Sequence, residues 1–512
     1  MNKENINIIN CIHYILLLIV SISITSCRDD FEFEPSHGNE LRFSRDTVYL
    51  DTIFSNTSSS TYTLKVYNTS NKDIKIPKIQ LKKGNDSQFR LSVDGRSGKS
   101  FDNIELLAKD SLFVFVESTV DIKNETQNKE FLYIDQLEFQ SGNNIQKVEL
   151  VTLIKDAYFL YPQKITNNSY ESIPFNNEEL YGFFLDDNDA INGNELHWKN
   201  NKPYVVYGYA AIPPQKTLTI DPGTEIHFHD QSGLMVYPDA NIQALGTIQN
   251  PIIFQGDRLE PSFEDIPGQW DMIFFVQDSR GKISNAIIKN ATIGLFINTK
   301  SHEIELDNLQ IYNCSNYGIV GRAAKINGKN IVTNNIGKSA LSLTYGGTYN
   351  FNHCTFANFW NRAGHKAVAM DNYDGSLEFS LNVSFKNSIL FSSSSESLFL
   401  SPSNNGLNFN YQFDHCLIKF NDFSNTYFNK YPYNFDNATK FSNVLISRNN
   451  NQHYPFFENV TKNKMKITQN ATTLIGFGSI TNASLVPQDL LGNSRVNSPD
   501  LGAYQHVTIT ND

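Results

Sequence analysis

Between Asn358 and Leu390 this 512-residue chain gathers Trp360, Arg362, His365, Lys366, Asp371, Tyr373 and Asp374. Paired carboxylates such as Asp371 and Asp374 serve as general acid and base on a glycosidic bond when they flank it. Without catalysis, Trp360 and Tyr373 offer ring faces for ligand contact, as flat aromatic surfaces do in ligand sites. A second stretch, residues 257–271, carries Arg258, Glu260, Glu264, Asp265 and Trp270. It reads either as a sugar-binding loop, with Glu264 and Asp265 as contacts, or as a structural loop packed on its neighbours. His227 and His229 flank Phe228 and, in a strand, share one face about 7 Å apart. With Glu225 or Asp230 they are the candidates for a metal site, against the plainer reading of unliganded histidines. His353-Cys354 and His415-Cys416 bring together a base and a nucleophile, but adjacent strand residues face opposite ways, which argues against a dyad.

These residues need a scaffold, and an internal repeat supplies one. Ile288-Lys-Asn290, Ile311-Tyr-Asn313, Val332-Thr-Asn334 and Phe356-Ala-Asn358 share one form, with their asparagines spaced by 23, 21 and 24 residues. Leu390 and Ile418 continue the apolar column at longer intervals. A repeat of this length with short strands and no helical period indicates a solenoid, and the Leu-x-x-Leu-x-Leu signature of leucine-rich repeats is missing. A parallel β-helix fits. Asn290, Asn313, Asn334 and Asn358 would then stack as an amide ladder, since asparagine tolerates the left-handed conformation and its amide both donates and accepts. Cys354 and Cys416 fall two coils apart, roughly 9.6 Å at the usual strand spacing. That is beyond disulfide reach of about 7 Å, so they are expected to be core thiols.

Upstream, residues 42–157 alternate apolar and polar positions in short runs such as Tyr62-Thr-Leu-Lys-Val-Tyr67, Leu112-Phe-Val-Phe-Val116 and Val148-Glu-Leu-Val-Thr-Leu-Ile154. That is the period of half-buried strands, in the number and length of an Ig-like β-sandwich. Residues 158–203 are a linker or an N-terminal cap, and the need to cover an open solenoid end favours the cap. The β-helix is expected over 204–506, with a tail at 507–512. The expected fold is therefore all-β.

The first residues assign an address. The apolar run from Tyr14 to Ile24 is too short to span a bilayer and has the length of a secretory signal. Ile24-Thr25-Ser26-Cys27 resembles the lipobox of bacterial lipoproteins, and Arg28, Asp29 and Asp30 resemble the surface-export signal of lipoproteins from Bacteroidota. This resemblance implies cleavage of residues 1–26, lipidation of Cys27, a tether over 27–41 and an outer-membrane, cell-surface location. Asp94-Gly95, Gly98, Phe101 and Asp110-Ser111-Leu112 resemble the Ig-like module of such proteins. Asp46-Thr47-Val48, Asp51-Thr52-Ile53 and Asp110-Ser111-Leu112 also match that phylum's short O-glycosylation motif. A net charge of −11 argues against a nucleic-acid partner, which needs basic surface to replace counterions.

Pro222-Gly-Thr224, Gly246-Thr-Ile248 with Pro251-Ile-Ile-Phe254, and Pro267-Gly-Gln-Trp270 resemble the first coils of Bacteroidota β-helix lipoproteins. Asp489-Leu-Leu-Gly-Asn-Ser-Arg495 and Asp500-Leu-Gly-Ala-Tyr504 resemble their closing segment. The resemblance implies a right-handed parallel β-helix of the pectin-lyase-like fold. On that fold a lyase would use Arg362 or Lys366 to take a proton from a uronic acid, with Ca2+ held by aspartates. The motifs of polygalacturonases and pectate lyases are missing here, however. The expectation is therefore a surface protein that binds extracellular glycan or another polymer, with no cofactor identified. A polysaccharide lyase or glycoside hydrolase, and a structural or adhesive protein, are the alternatives.

Overall fold

The computed structural model describes residues 33–36, 41–124, 128–166, 169–403, 408–427, 429–448 and 452–507. Cys27, Arg28, Asp29, Asp30, the signal segment and most of the tether lie outside them. The described chain is nearly all β. It divides into two compact units, Met1–Lys155 and Asp156–Asp512.

In the first unit, Glu130–Ser141 and Asn144–Lys155 pair antiparallel along their whole length. Ile74–Leu81 adds to the other edge of Glu130–Ser141 and also pairs Ser100–Leu106. A second sheet of five strands runs Leu41–Phe43, Tyr62–Asn68, Ser111–Ser118, Phe89–Val93 and Arg96–Gly98. Every second residue points inward, so Leu64, Val66, Val114 and Val116 of one sheet meet Ile76, Leu137, Phe139 and Val148 of the other in one buried core. The result is a two-sheet sandwich.

The second unit is a coiled stack of parallel strands. Ile287 pairs with Gln310, Gln310 with Val332, Val332 with Thr355, Thr355 with Ile389, and Ile389 with Leu417. Two further ladders run beside this one, one through Leu234, Ile273, Leu295, Ile319 and Leu341, the other through Ile283, Leu306, Gly328, Phe351, Phe385 and Phe413. Their apolar side chains fill one continuous interior, along with Cys314, Cys354 and Cys416. All three cysteines are free thiols, and burial pushes each up to about 12.

Tyr158–Leu160 already pairs in parallel with Tyr204–Val206, and His197–Trp198 with Thr217–Ile220. Residues 158–203 therefore contribute a coil of their own to the stack, so its ladders begin before Tyr204. At the far end the chain returns along the outside. Met465, Leu490, Ala503 and Tyr504 cover Tyr312, Val332 and Ala357, while Ile467, Leu474 and Leu501 cover Ile389 and Leu417. The Asp489–Arg495 motif locks this return in place. Asp489 accepts the amides of Leu491, Asn493 and Gln505, and the buried Arg495 guanidinium donates to the carbonyls of Gly502 and Ala503.

An asparagine ladder is present at a corner other than the expected one. Asn330 donates to Asn308 at 2.8 Å, Asn308 to Asn285 at 3.0 Å, and Asn285 to the Gly246 carbonyl at 3.1 Å. All three asparagines are left-handed, with φ of 50°, 54° and 48°. The expected set is out of register by one residue. Ile311 pairs with Thr333 rather than Val332, so Asn335, not Asn334, follows Asn290 and Asn313 in the column. Asn335 donates to Asn313 at 2.8 Å.

Candidate functional site

The strands of the ladder through Thr355 and Ile389 all end at one corner. In the middle of the stack that corner is tight: two residues join Ile304–Cys314 to Tyr317–Lys329, and two join Val332–Ile336 to Ser339–Asn352. Elsewhere it is opened by longer segments, 257–269 early in the stack and 359–365 and 393–397 late. The tight corners still bond coil to coil, as Gly337 does to the Cys314 carbonyl and Lys338 to that of Asn316, but added loop length costs little, and solenoids build binding surfaces in this way.

Residues 359–365 and 393–396 enclose a cleft of about 440 Å³ lined by Trp360, Arg362, His365, Lys366, Ser393 and Glu396 among others. Lys366 Nζ bridges to Glu396, 3.0 Å from its carbonyl and 3.2 Å from its carboxylate. His365 is only 2% exposed. Its Nδ1 lies 2.7 Å from the Arg362 carbonyl and its Nε2 lies 2.9 Å from Ser393 Oγ. A carbonyl only accepts, so Nδ1 carries the proton and Nε2 accepts from the exposed serine. Burial, aided by Lys366 and Lys419, holds His365 below the ordinary histidine value.

Ser393 is shared with a second, more aromatic hollow of about 640 Å³ lined by Phe359, Phe391, Lys419, Tyr454 and Phe456. Phe391 meets Tyr454 edge-on at 5.3 Å and stacks with Phe359 at 6.2 Å. Lys419 is 5% exposed, with Nζ 5.2 Å from the Phe391 ring centroid and 2.9 Å from the Ser392 carbonyl. Burial lowers its pKa. Among the described residues no carboxylate pairs with it.

Only part of the expected constellation comes together. Trp360, Arg362, His365 and Lys366 share the first cleft. Asp371, Tyr373 and Asp374 do not line it, because the six-residue strand Lys366–Asp371 runs between the two corners, roughly 17 Å at the rise of a strand. Asp371 accepts the Tyr345 amide at 3.0 Å, and burial raises its pKa. Tyr373–Asp374 pairs with Leu377–Glu378 in a separate exposed hairpin. Glu396 is the carboxylate lining the cleft among the described residues.

The loop over 257–269 is held by its own contacts and its neighbours. Asn290 donates to the carbonyls of Glu264 and Ile266, Asn313 donates to the Asp265 carboxylate at 2.9 Å, and Gln269 donates to Phe263 and Ile266. Trp270 is buried, stacked on Phe228 at 4.4 Å. Asn334 likewise holds Val460, Asn463 and the Phe359 amide, while Asn358 holds Ile336 and Lys366. These asparagines are loop anchors at the corner. His227 and His229 separate: His227 is buried, 3.1 Å from the Gly256 carbonyl, whereas His229 is exposed and 2.7 Å from Asp257. Among the described residues no group of three His, Cys, Asp or Glu side chains is placed to hold a metal ion.

Ser393, Glu396, Lys419, Tyr454 and Phe456 were not singled out from the sequence. For Ser393, Glu396 and Lys419 the signal was positional, since they lie at or within a few residues of a strand end in one column; Tyr454 and Phe456 lie beyond the last strand of that column, where no repeat marks them.

No protein-family profile matches this chain, and no curated protein does. Among solved structures, the catalytic unit of a GH87 alpha-1,3-glucanase from Streptomyces thermodiastaticus is 11% identical, with a TM-score of 0.23, over 69% of this chain and 79% of that one. A family 123 glycoside hydrolase from Clostridium perfringens is 6% identical, with a TM-score of 0.16, over 23% and 26%. The collagen-binding subdomain of the Enterococcus faecalis surface protein ACE is 15% identical, with a TM-score of 0.12, over 23% and 97%. Likenesses this slight carry no conclusion about chemistry, and the architecture rests on the strand ladders themselves.

Proposed function

We propose that this chain is a lipid-anchored cell-surface protein that binds an extracellular polysaccharide at the corner of its coiled stack. In this reading the stack is a right-handed parallel β-helix and the preceding sandwich is Ig-like. Cys27 carries the outer-membrane lipid, with Arg28, Asp29 and Asp30 directing export. The observation that carries the binding assignment is the joined pair of hollows. One is walled by Phe359, Phe391, Tyr454 and Phe456, the other is set with Arg362, Lys366, Glu396 and serine hydroxyls. Aromatic faces beside convergent polar groups suit a sugar, which is apolar on its ring faces and hydroxylated at its edges.

The test is affinity electrophoresis of the full chain in detergent through gels containing neutral, acetylated or uronic-acid polysaccharides. Retardation by at least one polymer, weakened about tenfold by Tyr454→Ala or Trp360→Ala, is the expected result. Migration unaffected by every polymer would refute the assignment. The same samples, followed for reducing ends and for ultraviolet absorbance with and without Ca2+, report whether a hydrolase or lyase reaction accompanies binding.

A further inference from the structure

We infer that Ser393 and His365 form a nucleophile–base pair that hydrolyses an O-acyl ester on the polymer held in the cleft. The inference rests on the glycan-binding reading and adds a reaction to it. Three observations carry it. Ser393 Oγ is exposed and 2.9 Å from His365 Nε2. His365 Nδ1 is fixed by the Arg362 carbonyl at 2.7 Å, which sets the tautomer that leaves Nε2 free to accept a proton. Nucleophile, base and a third group that orients the base are the arrangement that activates a serine. Ser393 Oγ also lies 3.3 Å from the Trp360 carbonyl, a longer contact that competes for the same proton. The third observation is the lining around the serine. Ser394 Oγ is buried with no partner, and the backbone amides of Ser394 and Ser395 make no hydrogen bond among the described residues. The two backbone amides are the donors left for a developing oxyanion.

The chemistry balances without a co-reactant other than water. Ser393 Oγ attacks the ester carbonyl carbon as its proton passes to His365 Nε2. The bond from that carbon to the sugar oxygen then breaks, and Nε2 returns the proton to the departing alkoxide. Water attacks the acyl–Ser393 ester, giving its proton to Nε2. Collapse releases the carboxylic acid and restores the serine hydroxyl. The imidazole must be neutral when attack begins, becoming imidazolium as it takes the serine proton, and burial, which holds the His365 pKa below the ordinary value, favours that neutral starting form.

The competing explanation is a hydrogen bond that merely pins residues 359–365 to residues 393–396. Two measurements on the full chain in detergent decide between them. A fluorophosphonate probe is expected to give an adduct that peptide mapping places on Ser393, absent in Ser393→Ala and at least 100-fold slower in His365→Gln. In Ser393→Cys, alkylation by iodoacetamide should follow a thiolate whose pKa lies well below the ordinary value of about 8.5, because passing the thiol proton to His365 Nε2 leaves the thiolate beside an imidazolium. No adduct on Ser393, together with ordinary alkylation of Ser393→Cys, would overturn the inference. If polysaccharide gels still retard the protein in that case, only the ester chemistry fails and the binding assignment stands.

Discussion

At the residue scale, burial decides which groups are reactive. Each of the three thiols sits in the solenoid interior with its pKa pushed up to about 12. They should resist alkylation in the folded protein and react only on unfolding, which quantitative labelling with and without denaturant checks. His353 is a buried histidine outside the cleft. Its Nδ1 donates to the Gly502 carbonyl at 3.2 Å, and its Nε2 accepts from Asn387 at 2.9 Å. Both nitrogens are thus committed to the neutral form, and burial with nearby Arg495 holds the group well below 6.5. The unfolded chain takes up this proton near pH 6.5 and the native chain does not. Stability is therefore full above that pH and falls as the pH drops below it. His365 contributes in the same direction. His353→Asn keeps a residue type that tolerates the left-handed backbone at this position. It should make the loss of stability between pH 6.5 and 5 shallower by up to about 1.4 kcal/mol per pH unit. Denaturant melts at several pH values would show it, and an unchanged slope would contradict it.

At the element scale, the corner ladder of Asn285, Asn308 and Asn330 ties successive coils where the strands turn. Asn308→Leu would remove the bonds to Asn285 and Asn330, which keep only their contacts to the Gly246 and Gln488 carbonyls, and would place a branched side chain at φ 54°, costing about 2–4 kcal/mol in the solenoid transition. The loop over residues 359–365 carries no ladder bonds of its own. Shortening it to a two-residue turn like that at 337–338 should leave the stack's cooperativity intact while abolishing polymer retention. Circular dichroism and the affinity gel separate those effects. The solenoid was legible in the sequence because apolar residues recur at one-coil intervals. Periodicity could not specify the one-residue shift between Val332 and Thr333, because both suit a strand and the inward direction is fixed only by pairing. The cleft was half legible. Proximity in sequence grouped Asp371 and Asp374 with Lys366, yet a strand carries them to the next corner. It also hid Ser393 and Lys419, which arrive beside His365 from later coils.

At the scale of the whole molecule, a two-sheet unit and a coiled unit follow one another along the chain, and the proposed lipid anchor at Cys27 precedes both in sequence. If Cys27 carries the lipid, Cys27→Ser should move the protein from the membrane fraction to the soluble fraction, as fractionation and immunoblotting would record. Persistence in the membrane fraction would contradict the anchor. The central claim is that the corner cleft binds polysaccharide, and the most direct measurement is affinity electrophoresis of the wild type beside Trp360→Ala, Tyr454→Ala and a control altered on another face, Asn410→Ala. The expected result is retardation by a polymer that Asn410→Ala retains and that each aromatic substitution weakens about tenfold. Equal retardation of all four proteins, or none by any polymer, would contradict it.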